Sequence, residues 1–305
     1  MKNFTKYAFL IAAAGSLALG GCKKSNKTET KKNDSSGYVK TVYNTNPVTA
    51  TASCDYDVSD TAYTNHGWTK SFDDEFDNGL GNWGAITGGV QKEFQLNQPA
   101  NVNVSNGVMT ITAKKESASG PKTVGNDTTA NFNFTSAWVI STGTFAASSS
   151  TPKIRIVARI KTASGDGLTS TFYTFGANNW PTNGEIDMME VKGNDPKVYA
   201  FDYFYGSTVG TSSVKDGLMF NPTTEDLSAC FHVFMMEWTQ TTLKTYIDGN
   251  LVETSNSSYI PNLFGKQQHL SFSLPVGGLF YSNLDPANVQ GGTFTIDYVK
   301  VFTSN

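Results

Sequence analysis

Charge is scarce in this chain of 305 residues, with Asp, Glu, Lys and Arg together at 16% and a formal net charge of −3. No basic stripe interleaved with aromatics is present, which removes the usual electrostatic footprint of a nucleic-acid partner. Helix-period segments are also scarce. The three histidines, His66, His232 and His269, are scattered, without the i, i+4 pairing of a helical zinc site, and no serine nucleophile elbow accompanies them. Cysteine is limited to Cys22, Cys54 and Cys230. Long apolar runs are missing except at the start, where Lys2 and Lys6 precede the run Tyr7 to Leu19. That run is shorter than the ~20 apolar residues a bilayer span needs.

The opening segment reads as a targeting peptide and is set aside from the fold. Its end, Leu19-Gly20-Gly21-Cys22, resembles a bacterial lipobox. The resemblance implies that residues 1–21 are removed, that Cys22 carries lipid, and that the protein is anchored in the outer membrane. Residues 22–65 are then expected to form a lipidated flexible tether and N-terminal extension. Its first part, Lys23 to Ser36, has too little apolar surface to offset its ordering entropy. An exported chain sits where disulfides persist, so Cys54 and Cys230 fit either one bridge or two buried free thiols.

What the chain does have is glycine (28 residues), aromatics (12%) and abundant Thr, Val and Ile, a composition suited to half-buried strands. From His66 to the end, strand and turn signals alternate. Asn101 to Ala113 reads as two alternating runs joined at Ser105-Asn106-Gly107, and Leu243 to Val252 as a hairpin around Asp248-Gly249. In Lys153 to Lys161, Ile154, Ile156, Ala158 and Ile160 share one face. Gly292 to Phe302 supplies a last strand. The pattern predicts an all-β domain over residues 66–305, built as a two-sheet antiparallel sandwich.

The stretch Trp180 to Gly193 carries the chemistry. Glu185, Asp187 and Glu190 place three acids within six residues of a strand-like segment. Crowded carboxylates repel, and a buried one must neutralise or find a partner. Period-two alternation puts Glu185 and Asp187 on one face, whereas Glu190 falls on the other. One extra residue at Met188-Met189, accommodated as a β-bulge, returns Glu190 to the shared face. The two glutamates are then four effective steps apart, roughly 13 Å between Cα atoms, and must lean together to approach the ~5–5.5 Å carboxyl separation of a retaining glycosidase.

Glu185-Ile-Asp-Met-Met-Glu190 resembles the bulged Glu-x-Asp-x-x-Glu signature of glycoside hydrolase family 16. Phe72 to Phe76, Phe231 to Trp238, Tyr246 to Gly249, Val276 to Gly278 and Ile296 to Val301 are similar, in order, to further segments of that family. The resemblance implies a concanavalin A-like jelly roll with an open cleft and a retaining mechanism. It assigns Glu185 as nucleophile, Glu190 as general acid/base and Asp187 as assisting acid. Trp180 resembles a tryptophan that stacks on sugar near the cleaved bond. Trp138, Tyr173 and Tyr203 stand near positions where the family contacts substrate, and Phe280 falls among the expected cleft loops. No cofactor is implied for catalysis. A structural calcium held by Asp297 and the carbonyl of Gly107 is implied by the same likeness. His232 and Glu75 read as structural residues.

The chain also departs from the family pattern. Phe172-Tyr173 stands in place of a tryptophan, Ser136-Ala137-Trp138 in place of Ser-Gly-Arg, Tyr199 to Tyr203 lacks the downstream histidine, and Ser273 replaces an asparagine. The expected partner is a β-linked polysaccharide, best a β-1,3-glucan of the laminarin type. A galactan-type glycan (agar, porphyran, carrageenan or mucin glycan) is the alternative substrate, and a non-catalytic glycan-binding lipoprotein the alternative class. A tethered glycanase is expected to be a monomer and to have no nucleic-acid partner.

Overall fold

The computed structural model describes residues 48–305 apart from 177–179, 211–213, 279 and 282–283. The targeting segment, Cys22 and the tether to residue 47 therefore lie outside the described residues. No described helix is long and apolar enough to cross a membrane.

Two sheets form the sandwich. The smaller has seven strands, all antiparallel to their neighbours, in the order Val214–Pro222, Val198–Tyr205, Glu185–Lys192, Thr169–Phe175, His269–Ser273, Trp138–Ser141 and Trp83–Ile86. The larger has eleven, with Lys153–Lys161, Gly291–Ser304 and His232–Trp238 near its middle. Asn106-Gly107 and Asp248-Gly249 make the tight turns their sequences require. Both residues of each pair have positive φ, and each turn joins antiparallel partners.

The core lies between the sheets. Ile154, Ile156, Ala158 and Ile160 point into it, where they meet a layer that includes Phe172, Phe272, Ile186, Met189 and Tyr203. Phe172 and Phe272 stack with ring centroids 4.5 Å apart. Offset aromatic stacking adds about 0.5–1.5 kcal/mol beyond the area removed from water, so this contact pins the two strands beneath the acids.

The domain boundary expected at residue 66 is corrected: the fold has begun by Ala50. Ala50 pairs with Thr223 as an isolated bridge, and Ala50 and Ala52 belong to the core. Cys54 is bonded to Cys230, with Cα atoms 5.5 Å apart across 176 residues of sequence. Tyr63 in the short helix Thr61–Thr64, and Trp68 beyond it, cover Val157, Met235 and Phe302 on the outer face of the large sheet. The sequence of this segment lacks periodicity because it is held by long-range pairings and one covalent bond, neither of which leaves a local pattern.

Asp248 explains how that strap is fixed. Its carboxylate accepts from the backbone N–H of Ser53 (2.8 Å) and Val233 (2.7 Å), and pairs with Nδ1 of the fully buried His232 at 2.7 Å. His232 is thus structural. Glu75 is structural as well, paired with Lys300 at 2.8 Å.

Candidate active site

The strand Glu185–Lys192 contains the irregularity that the acid spacing demands. Against Val198–Tyr205, Asp187 pairs with Asp202 and Glu190 with Ala200, so three steps on one side oppose two on the other. Against Thr169–Phe175, Met189 pairs with Phe172 and Asp187 with Tyr173, which identifies Met188 as the extra residue. Ile186, Met189 and Val191 fill the core, while Glu185 and Glu190 are half-buried on the opposite face of the sheet. Asp187 lies between them and is 5% exposed.

The electrostatics follow from crowding. Burial raises all three carboxyls. Glu185 is pushed up to about 7, although hydrogen bonds from Trp180 and Asp187 pull it back toward ionisation. Glu190 rises to about 8 through burial and then through the charge of Glu185. Asp187 is raised well above the carboxylate range by burial, then by Glu185, Glu190 and Asp202, and its hydrogen bond to Glu185 favours its protonated form. The proton of this pair therefore sits on Asp187 and is donated to the Glu185 carboxylate. At neutral pH the site therefore combines a carboxyl that can ionise with others that hold their protons more tightly, a separation of proton affinities within one cluster.

Trp180 is buried beside Glu185. Its indole Nε1–H donates to Glu185 Oε2, and its ring lies 6.3 Å from that of Phe204. The tryptophan therefore holds the carboxylate as well as walling the cleft. On the other side of the acids, Tyr173 bonds Ser271 and feels the charges of Glu185 and Asp187, and Ser271 in turn accepts from Trp138 Nε1 at 2.7 Å. Phe280 meets Phe220 edge-on at 6.3 Å.

Three expectations are corrected here. Tyr203, expected to contact substrate, is 1% exposed and packs in the core, with its hydroxyl 2.5 Å from Ser257 Oγ. Its neighbour Phe204 takes the cleft-facing position, opposite Glu185. Trp138 is only 2% exposed. It packs with Ile140, Tyr173 and Phe175 under Ile86, Val90 and Val124, so it supports the cleft floor and presents no face to a sugar. Asp297, expected to hold calcium with Gly107, instead accepts from Arg159 Nη1 at 2.7 Å. A guanidinium on that carboxylate opposes a second cation, so the donor set does not fit the ion. Among the described residues the one gathering of three His, Cys or acidic side chains at metal-ligand spacing is Cys54, Asp55 and Cys230, two of which are joined as the disulfide.

Glu93 was not among the residues singled out from sequence. It lies on a loop, yet its charge reaches Tyr173 along with those of Glu185 and Asp187. The available signal was the alternation of polar residues in Glu93-Phe94-Gln95-Leu96-Asn97.

Known proteins resemble this chain in sequence and in fold. The chain is 26% identical over 273 residues to a glucan endo-1,3-beta-glucosidase of Cryptopygus antarcticus, covering 80% of this chain and 95% of that one. It is 24% identical over 234 residues to glucan endo-1,3-beta-glucosidase A1 of Niallia circulans; the match takes in 72% of this chain but spans only 33% of the length of that protein. The crystal structure of the laminarinase catalytic domain from Thermotoga maritima MSB8 superposes with a TM-score of 0.64 at 25% identity, covering 78% of this chain and 99% of that one. The sequence model of glycosyl hydrolases family 16 matches residues 90–300, a span that takes in the bulged acid strand, both flanking strands and the glycine pair at 277–278. With a two-sheet sandwich, a bulge that gathers three carboxyls and a match over most of its length, the chain belongs to glycosyl hydrolases family 16.

Proposed function

We propose that the protein is a retaining endo-hydrolase of β-1,3-glucan, with Glu185 as nucleophile, Glu190 as general acid/base and Asp187 as the acid that assists Glu185. The observation that carries this reading is the extra residue at Met188, which turns Glu190 to the face of Glu185. The relatives named as glucan endo-1,3-beta-glucosidases support the choice of polymer.

In the first step Glu185 attacks the anomeric carbon while Glu190 gives its proton to the departing glycosidic oxygen, leaving a glycosyl ester on Glu185. The raised proton affinity of Glu190 keeps that proton available at neutral pH. In the second step the now ionised Glu190 takes a proton from water, whose oxygen attacks the anomeric carbon and releases Glu185. Asp187 follows the charge on Glu185, donating strongly when Glu185 is free and less when it is esterified. Trp180 fixes the Glu185 oxygen that its Nε1–H holds.

The test is reducing-end release from laminarin, lichenan, agarose, porphyran, carrageenan and mucin, with product anomers followed by NMR. Laminarin should be cut internally with retention. Inversion, or laminarin left intact while a galactan is cut, would overturn the reading.

The segment ending at Cys22 supports a lipid anchor in the outer membrane. Labelling with a radioactive fatty acid should mark the protein and should not mark Cys22→Ala. Size-exclusion chromatography should give a single chain.

A further inference from the structure

The chain has two arginines, Arg155 and Arg159, and both are committed to the outer face of the larger sheet. Arg155 pairs with Glu237 at 2.8 Å and lies over Trp68 at 4.2 Å. Arg159 pairs with Asp297 at 2.7 Å and lies over Phe231 at 4.7 Å. No guanidinium is left to offer a planar fork to a sulfate or carboxylate in the cleft.

The opposite kind of group is present there. Glu93 forms a backbone bridge with Gly277, and the Phe94 N–H donates to the Val276 carbonyl at 2.9 Å. A Cβ at Gly278 would sit 3.5 Å from Glu93 Cγ, so the glycine leaves room for that side chain. Behind it, fully buried Gln95 accepts the Val276 N–H through Oε1 (2.9 Å), which turns its Nε2 toward Glu93 Oε2 at 2.5 Å. One carboxyl oxygen is thereby held. Gln95 is the one side-chain hydrogen-bond partner of Glu93 among the described residues, and Glu93 Oε1 is not used by it. Joining the loop to the glycine pair needs only the backbone bonds and Gln95. The carboxyl is half-exposed, pushed up to about 7 by burial, and acts electrostatically on Tyr173 together with Glu185 and Asp187.

We propose that Glu93 is a substrate-contacting residue, whose unheld oxygen binds a hydroxyl of a neutral sugar unit lying beside Tyr173 and whose charge excludes sulfated or carboxylated units from that place. This rests on the glycan-hydrolase reading and narrows its substrate to uncharged polymers.

Glu93→Ala and Glu93→Gln are compared with the parent on laminarin at pH 8, above the value to which burial pushes Glu93, with sulfated laminarin as competitor. Loss of a hydrogen bond formed alike in ground and transition states raises KM and spares kcat. In Glu93→Ala, KM should rise about tenfold, the scale of one polar contact, with kcat within about threefold. Glu93→Gln keeps a polar group without the charge: its KM should stay within about threefold, while sulfated laminarin should inhibit it about tenfold more strongly than the parent. An unchanged KM in Glu93→Ala, or equal inhibition of Glu93→Gln and parent by the sulfated glucan, overturns the proposal. If Glu93→Ala does not fold, the inhibition of Glu93→Gln decides alone. Cleavage of agarose in place of laminarin would sink the glucan reading alone, since agarose is also uncharged, whereas preference for carrageenan or porphyran would sink the role of Glu93 itself.

Discussion

The two outer faces of the sandwich treat charge in opposite ways. On the outer face of the larger sheet acids are paired: Glu237 with Arg155, Asp297 with Arg159, and Asp60 with both Lys70 and Lys300. On the outer face of the smaller sheet Glu185 and Glu190, with Glu93 near them, are desolvated, and the groups that shift them are neutral donors or other acids. The first face is built to hold the N-terminal strap; the second keeps carboxyls at proton affinities that a stability-driven sequence would avoid. The contrast teaches that conserving charge balance and creating reactivity are handled by separate surfaces of one sheet pair.

The comparison breaks most sharply at the acids. Glu185→Ser should abolish hydrolysis, and Glu190→Gln should lower kcat by about 10²–10⁴-fold on laminarin, the usual contribution of a positioned acid/base. Circular dichroism should show both folded. Normal turnover in Glu185→Ser would remove the nucleophile assignment.

On the side that carries the strap the largest effect belongs to the disulfide. Replacing Cys54 and Cys230 with serine opens a loop spanning 176 residues, and removal of such a bridge costs about 2–4 kcal/mol. Denaturant midpoints should fall accordingly while kcat on laminarin at 25 °C stays as in the parent. A parallel loss of kcat would mean that the two faces are not independent.

These two experiments also mark what was legible in the sequence. The bulge was legible because five positions between Glu185 and Glu190 is an odd step, and alternation leaves no other way to gather the acids. The hairpins were legible from Asn106-Gly107 and Asp248-Gly249. Tyr203 was misplaced because Val198–Tyr205 is apolar toward both sides and takes its register from across the bulge. Trp138 was misplaced for a related reason, since every residue of Trp138–Ser141 is buried and no alternation distinguishes its faces. The partner of Asp297 could not be read, because Arg159 lies 138 positions away and neighbours it only once the strands are paired.

A third prediction sharpens the contrast through pH. Unfolded Glu190 titrates near the ordinary glutamate value, whereas in the fold it is pushed up to about 8. Between those values the native state holds a proton that the unfolded chain has released, so stability falls as pH rises across the window. Glu190→Gln removes this cost. Its melting temperature should match that of the parent near pH 4 and exceed it at pH 8 by about 2–4 °C, which corresponds to roughly 1 kcal/mol in a domain of this size once solvent screening in the open cleft is allowed for. No gain at pH 8 would mean that Glu190 is ionised without penalty, and the proton-donor role would lose its physical basis.

The smallest effect concerns the indole that holds Glu185. Trp180 Nε1–H favours the ionised form of Glu185, so Trp180→Phe, which keeps the ring against Phe204 and deletes the donor, raises the proton affinity of Glu185. The acidic limb of kcat/KM should move upward by a few tenths to one pH unit, since a net hydrogen bond of about 0.5–1.5 kcal/mol corresponds to that range. The alkaline limb, set by Glu190, should not move. Displacement of both limbs together would show that Trp180 acts on the whole coupled set of carboxyls, and displacement of neither would reduce it to a wall of the cleft.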